Sequence, residues 1–139
     1  MKLLEMPVTV TERIQYLLQP IVADVRWLDG SLLSEVDRLA WQRVMDSHLK
    51  EWQENPVQFE DEGREPPVPE ILPVVAEVAA ALRDRGVEPP LRVVPNGEGG
   101  VVFEWRDSPY YWSLEVEKAG SLALAVFRNS RLVCRHQLP

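Results

Sequence analysis

Three glycines, Gly97, Gly99 and Gly100, fall within four positions of the stretch PNGEGGVVFEW at residues 95–105. Loops of this kind can cradle a phosphate with their backbone N–H groups. A dinucleotide fingerprint, however, needs G-x-G-x-x-G between a strand and a helix, and a phosphate loop ends in Gly-Lys-Ser or Gly-Lys-Thr. Here the glycines precede an apolar run, the lysine is missing, and Glu98 would repel a phosphate. The stretch reads as a hairpin turn, in which Asn96-Gly97 tolerates positive φ and Gly99-Gly100 relieves crowding at the entry to a strand.

The other candidate chemistries fall short in the same way. Cys134 and His136 stand two apart and would point the same way on a strand, which is half of a zinc site. The remaining histidine, His48, has no HExxH partner, so neither metal nor cofactor is expected. The carboxylates Glu60, Asp61, Glu62 and Glu65 lack the alternating oxygen ligands and terminal Glu of a calcium loop, and read as a solvated acidic segment. Ser108, Ser113, Ser121 and Ser130 lie in no G-x-S-x-G context, so a hydrolase triad has no support and no catalytic residue is nominated. More suggestive is EWRDSPYYW, which places Tyr110 and Tyr111 at a hairpin tip beside Arg106. Aromatic and arginine side chains are the usual anchors of protein interfaces, although either tyrosine can instead fold back over the sheet edge.

The elements that must position these residues follow from periodicity. Thr9 and Glu12 have capping-box spacing, and Ile14, Leu17, Leu18, Ile21, Val22 and Val25 recur at helical intervals, with Pro20 kinking or ending that helix. A second helix is expected from Ser31 or Ser34 to about Gln53, with Leu33, Val36, Ala40, Trp41, Val44, Met45, Leu49 and Trp52 as its apolar stripe. The acidic, proline-rich segment at residues 55–69 should be an extended loop outside the core. A third helix is expected over residues 70–86, with Pro73 near its first turn, Gly86 ending it, and Leu72, Val75, Val78, Ala79 and Leu82 on its buried side.

Over residues 91–138 the period changes to two, which predicts an antiparallel sheet. Pairing Val93 with Val101, Phe103 with Leu114, Trp105 with Trp112, Val116 with Leu124 and Leu124 with Cys134 puts the apolar sets on one face through loops of three or four residues. That face holds Leu91, Val93, Val101, Phe103, Trp105, Trp112, Leu114, Val116, Leu122, Leu124, Val126, Leu132 and Cys134, with His136 near its edge. The other face is mixed and includes Arg92, Glu104, Arg106, Tyr111, Glu115, Glu117, Ala123, Phe127, Arg131 and Arg135. Cross-strand charge pairing accounts for its Glu and Arg residues. The resulting expectation is an α+β fold, with N-terminal helices (1–54 and 70–86) packed on one face of a C-terminal five-stranded antiparallel meander.

At 139 residues the chain fits a single domain, 1–139, without internal repeats. Its net charge is −7, and the imbalance is local: residues 1–90 carry 9 basic and 17 acidic side chains, residues 91–139 carry 6 and 5. That argues against direct nucleic-acid binding, which needs a basic footprint. One cysteine, a start without a secretory core and the lack of a long apolar run point to a cytoplasmic protein without a membrane anchor.

Residues 95–105 together with WSLEVEKAGSLAL resemble an uncharacterised bacterial family with a Gly-Gly-hydrophobic-x-hydrophobic-Glu-Trp hairpin, here Gly99, Gly100, Val101, Val102, Phe103, Glu104 and Trp105. The upstream DEGREPPVPEI is similar to the acidic linker and helix start that precede that pattern, so the likeness covers residues 52–126. It implies the α+β arrangement and a bacterial source, and brings no catalytic residue. Three functions remain as expectations. The first is a non-enzymatic protein-binding module of adaptor, antitoxin-like or immunity-like kind, with Arg106, Tyr110 and Tyr111 as anchors and Glu60, Asp61 and Glu62 as an electrostatic guide to a protein partner. The second is an enzyme subunit or hydrolase using Glu and Arg of the open sheet face, and the third an acidic nucleic-acid mimic.

Overall fold

The computed structural model describes residues 12–14, 35–49 and 67–138. Its elements are helix α1 (Glu35–Arg43), continued by a π-helical turn at Val44–Leu49, a 3-10 turn at Pro69–Ile71 leading into helix α2 (Leu72–Asp84), and five strands. The strands are β1 (Arg92–Pro95), β2 (Val101–Asp107), β3 (Tyr110–Val116), β4 (Leu122–Arg128) and β5 (Arg131–Leu138), in spatial order β1-β2-β3-β4-β5. All pairings are antiparallel, so the α+β meander expected from the change of period is the observed fold. Residues 12–14 are helical and Ile14 is fully buried. The rest of the first helix, Leu33, Trp52 and the acidic stretch with Glu60, Asp61, Glu62 and Glu65 lie outside the described residues.

Helix α2 buries Leu72, Val75, Val78, Ala79, Ala81 and Leu82. It ends in a Schellman arrangement: Gly86, at φ 86°, donates to Arg83 O, and Val87 N donates to Leu82 O at 3.0 Å. A residue with a side chain resists that φ, so Gly86 stops the helix where the sequence places it. Val87 is fully buried, and its carbonyl accepts the Trp41 indole N–H at 2.8 Å. One residue on, Glu88 O accepts the Trp105 indole N–H at 2.7 Å. Two tryptophans, one from α1 and one from β2, thereby fix the connector from α2 into β1.

The core joins these helical residues to one sheet face, where Val93, Phe103, Leu114 and Leu124 form one cross-strand row and Trp105, Trp112 and Val126 the next. Trp105 and Trp112 pair directly, their rings stacked 3.8 Å apart and 2° from parallel. Large aromatic pairs opposite one another are a principal unit of sheet stability.

Several expected details differ. Val93 pairs with Phe103 rather than Val101, Leu124 with Leu114 rather than Val116, and Cys134 with Val126 rather than Leu124. Each slip is two residues, which preserves the expected faces except past the bulge in β5, where Leu132 moves to the open face and Arg131, expected there, falls opposite Arg128 on the core side. Turn chemistry sets the true register. Asn96 N donates to Gly100 O, while Asn96 Oδ1 accepts from Glu98 N and Gly100 N, closing the first turn around Gly97 and Gly99. Gly120, at φ 92°, closes the β3–β4 turn by donating to Glu117 O. Asn129 and Ser130, at φ 50° and 66°, make a two-residue β4–β5 turn.

A bulge at Val126/Phe127 then shifts β5 by one residue, so Leu132 pairs with Phe127 on the open face and is 55% exposed instead of joining the core. Leu91, which immediately precedes β1, and Val36 on α1 are also exposed, at 69% and 75%. Ala123, expected outward, is buried, its methyl being too short to rise above its cross-strand neighbours Glu115 and Gln137. The end of the acidic segment is not outside the core either: Pro67 is buried, and Val68 packs against the core and donates to Gly99 O at 3.0 Å.

Two outcomes follow from this packing. Trp105→Ala is expected to lower stability by about 3–5 kcal/mol, and Trp105→Phe, which keeps a ring but loses the N–H, by about 1–2 kcal/mol. Urea unfolding measures both, and equal losses would show that the hydrogen bond rather than the ring carries the effect. At Gly100 an added Cβ would lie 2.3 Å from Val116 O, whereas at Gly120 it would meet nothing within 4 Å. Gly100→Ala should therefore cost about 3 kcal/mol, and Gly120→Ala, which meets only its unfavourable φ, about 1 kcal/mol. Melting temperatures in the reverse order would contradict the turn geometry.

Candidate functional site

The open face of the sheet is built from the residues that alternate with the core set, and it divides into three cross-strand rows. At the first-turn end, Val94, Val102, Glu115, Ala123 and Gln137 run across all five strands. Glu115 accepts a hydrogen bond from Asn96 Nδ2 at 2.7 Å, and Glu117 one from Gln137 Nε2 at 3.3 Å, so both carboxylates tie strands and turns together. In the middle row Arg92 Nε donates to Glu104, its direct cross-strand neighbour. That bond, reinforced by the charge of the carboxylate, raises the Arg92 pKa from its ordinary value.

The third row lies toward the β2–β3 and β4–β5 tips and consists of Arg106, Tyr111, Phe127 and Leu132. The Tyr111 and Phe127 rings meet at 6.0 Å, tilted by 53°. Partial burial is the first cause of a raised Tyr111 pKa, followed by the hydrogen bond and the negative charge of Glu104, with Arg92 and Arg106 opposing. Beside this row the two tips enclose an open concavity of about 540 Å³, walled by Arg106, Tyr111 and Phe127 on the sheet and by Ser108, Asn129 and Ser130 on the turns. Asn129 N donates to Pro109 O at 3.0 Å and holds the tips together.

Of the nominated anchors, Arg106, Tyr110 and Tyr111 all reach this concavity. The two tyrosines nonetheless belong to opposite faces. Tyr111 stands on the open face, while Tyr110 lies at the end of the core face, packed against the core with the Arg128 guanidinium 5.8 Å from its ring centroid. Both side chains are half-buried, and Arg106 is exposed. Glu60, Asp61 and Glu62, the proposed guide, fall outside the described residues. Sequence reasoning missed Phe127 and Leu132 as members of the site. The hydrophobic Phe127 between Val126 and Arg128 was a usable signal, but Leu132 reaches the face only through the bulge, which has no sequence mark of its own.

No family model matches the chain, and no curated protein or solved structure matches it either.

The site thus offers one exposed guanidinium, two half-buried aromatic rings on the open face, and hydroxyl and amide groups from two turns, around a shallow hollow. It can seat an apolar or aromatic side chain with a carboxylate or carbonyl nearby. The glycine-rich turn is elsewhere: Gly99 and Gly100 are buried against Val68, Lys118 and the backbone of β3, the N–H and C=O of Gly100 both bond Asn96 within the turn, and Gly99 O accepts from Val68 N. Among the described residues, no three of His, Cys, Asp and Glu gather as a metal ion would need, and no helix is long and apolar enough to cross a membrane.

The raised Tyr111 pKa has a definite consequence for stability. The folded protein holds this proton more tightly than the unfolded chain, so the contribution is fully present below about pH 10 and is lost as pH rises through the folded value. Melting temperature measured from pH 8 upward should fall more steeply above about pH 10 in the wild type than in Tyr111→Phe. Parallel curves would show that the hydroxyl is not held as described.

Proposed function

We propose that the protein is a non-enzymatic protein-binding module that docks its partner on the tip end of the open sheet face, and that it works in the bacterial cytoplasm as its sequence character and family resemblance imply. The observation that carries this reading is the row Arg106, Tyr111, Phe127 and Leu132, continuous across four strands and bordering the hollow between two stapled turns. Rigid aromatic rings beside an exposed arginine are what interface centres are made of, since they bury much area for little conformational entropy. Support also comes from the carboxylates of this face. Glu104, Glu115 and Glu117 each accept a hydrogen bond from a neighbouring side chain, a structural use that leaves the face to act as a surface.

The test is a comparison of baits. Tagged wild-type protein and an Arg106→Ala/Leu132→Ser variant, both changed only at exposed positions, are used to recover partners from a bacterial host, and the affinity of each recovered partner is then measured. Affinity for the partner is expected to fall about tenfold or more in the variant, chiefly through faster dissociation. A partner that binds both equally, or turnover of a substrate by the isolated chain, would contradict the proposal.

A further inference from the structure

The described residues lining the tip hollow include one charged side chain, the Arg106 guanidinium, in a protein whose net charge is −7. Arg106 is exposed and makes no hydrogen bond or ion pair among the described residues. Glu104, two positions before it on the same face of β2, is held by Arg92 of β1 and does not neutralise it. The Ser108, Asn129 and Ser130 side chains at the rim are exposed and equally uncommitted among the described residues. All of them can donate a hydrogen bond, and only their neutral oxygens are left to face a cation. On the reverse side of the β4–β5 tip, Arg128 and Arg131 stand directly opposite each other, both exposed. Like charges so placed repel, and they add to the positive potential at this end of the sheet. No Asp or Glu follows Glu117 in the chain to offset them.

We infer that the hollow takes an aromatic side chain of the partner that stands next to an acidic residue, with the ring against Tyr111 and Phe127 and the carboxylate on Arg106. The inference rests on the protein-binding reading and specifies the partner's anchor. The ring follows from the walls. Tyr111 and Phe127 lie 6.0 Å apart and tilted by 53°, a spacing and angle at which aromatic rings attract, and a third ring laid against them extends the cluster. The carboxylate follows from the charge, since an uncommitted guanidinium fork matches the two oxygens of one carboxylate in geometry and in sign. Size limits the occupant: about 540 Å³ falls within the roughly 300–1,000 Å³ of small-ligand clefts, which is room for one or two side chains. A basic anchor would meet Arg106 as a repulsion and find no carboxylate among the described lining residues. The repulsion of the acidic remainder of the protein is screened beyond about 8 Å at physiological salt, which leaves Arg106 to decide at contact.

The probe is a short peptide with a central phenylalanine between two glutamates in a glycine–serine background, titrated into isotope-labelled protein and followed by amide chemical shifts. Counterparts replace the glutamates by lysines or the phenylalanine by alanine. Shifts are expected at Arg106, Tyr111, Phe127, Asn129 and Ser130 with β1 unmoved, and the glutamate–phenylalanine peptide should bind at least about tenfold more tightly than either counterpart. In Arg106→Glu the preference should reverse in favour of the lysine peptide, a gain that misfolding cannot imitate. Shifts confined to other surfaces, no shift at about 5 mM of the glutamate–phenylalanine peptide, equal binding of a counterpart, or an unchanged preference in the variant would overturn the inference. So would a wild-type dimer in sedimentation that Arg106→Glu dissolves, since the occupant would then be a second copy. With a recovered partner, Arg106→Glu/Leu132→Ser should bind at least about tenfold more weakly than Arg106→Ala/Leu132→Ser. Equal losses in the two variants would overturn this inference alone, and no loss in either would overturn the module reading as well.

Discussion

Two indole N–H groups, from Trp41 on α1 and Trp105 on β2, meet consecutive carbonyls of the connector at Val87 and Glu88. The Val87 carbonyl is buried and would cost about 1–3 kcal/mol without a partner, while the Glu88 bond is partly buried; together the two bonds fix where the chain turns from helix to sheet. The Schellman end of α2 delivers Val87 to that point, and Leu91 N, bonded to Glu104 O, continues the chain into β1 beside β2. The stacked Trp105–Trp112 pair then extends the same anchor into β3. Helices and sheet are thus joined at a position set by hydrogen bonds as well as by apolar burial.

That junction commits one face of the sheet. Because side chains alternate along a strand, assigning Val93, Phe103, Trp105, Trp112, Leu114 and Leu124 to the core assigns Arg92, Glu104, Arg106, Tyr111 and Phe127 to the other side. The functional proposal depends on this division and on the bulge at Val126/Phe127, which turns Leu132 from the core to the open face and completes the row at the tips. Without the bulge Val133 rather than Leu132 would stand opposite Phe127, and Leu132 would fall on the core side opposite Arg128.

Much of the fold was legible because period and composition acted in the same direction. The buried side of α2 was readable residue by residue from 3.6-residue spacing closed by Gly86, and the core face of the sheet from strict alternation. Registers were less legible, because a slip of two residues preserves every face and only turn hydrogen bonds, such as those of Asn96 and Gly120, distinguish the alternatives. The bulge had no signal at all. At the site, the sequence nominated Arg106, Tyr110 and Tyr111 together because they sit near one hairpin tip. It could not show that adjacent tyrosines take opposite faces there, one packed against the core beneath Arg128 and the other ringed by Glu104, Arg106 and Phe127.

The central claim is the proposal that the tip end of the open face is the surface on which a partner docks. Amide hydrogen exchange of the protein alone and in complex with its recovered partner tests this most directly. Exchange should slow at the tips around Arg106, Tyr111 and Asn129, with α1 and α2 unchanged. Slowing confined to α1 and α2, with the tip amides exchanging as in the free protein, would contradict the account.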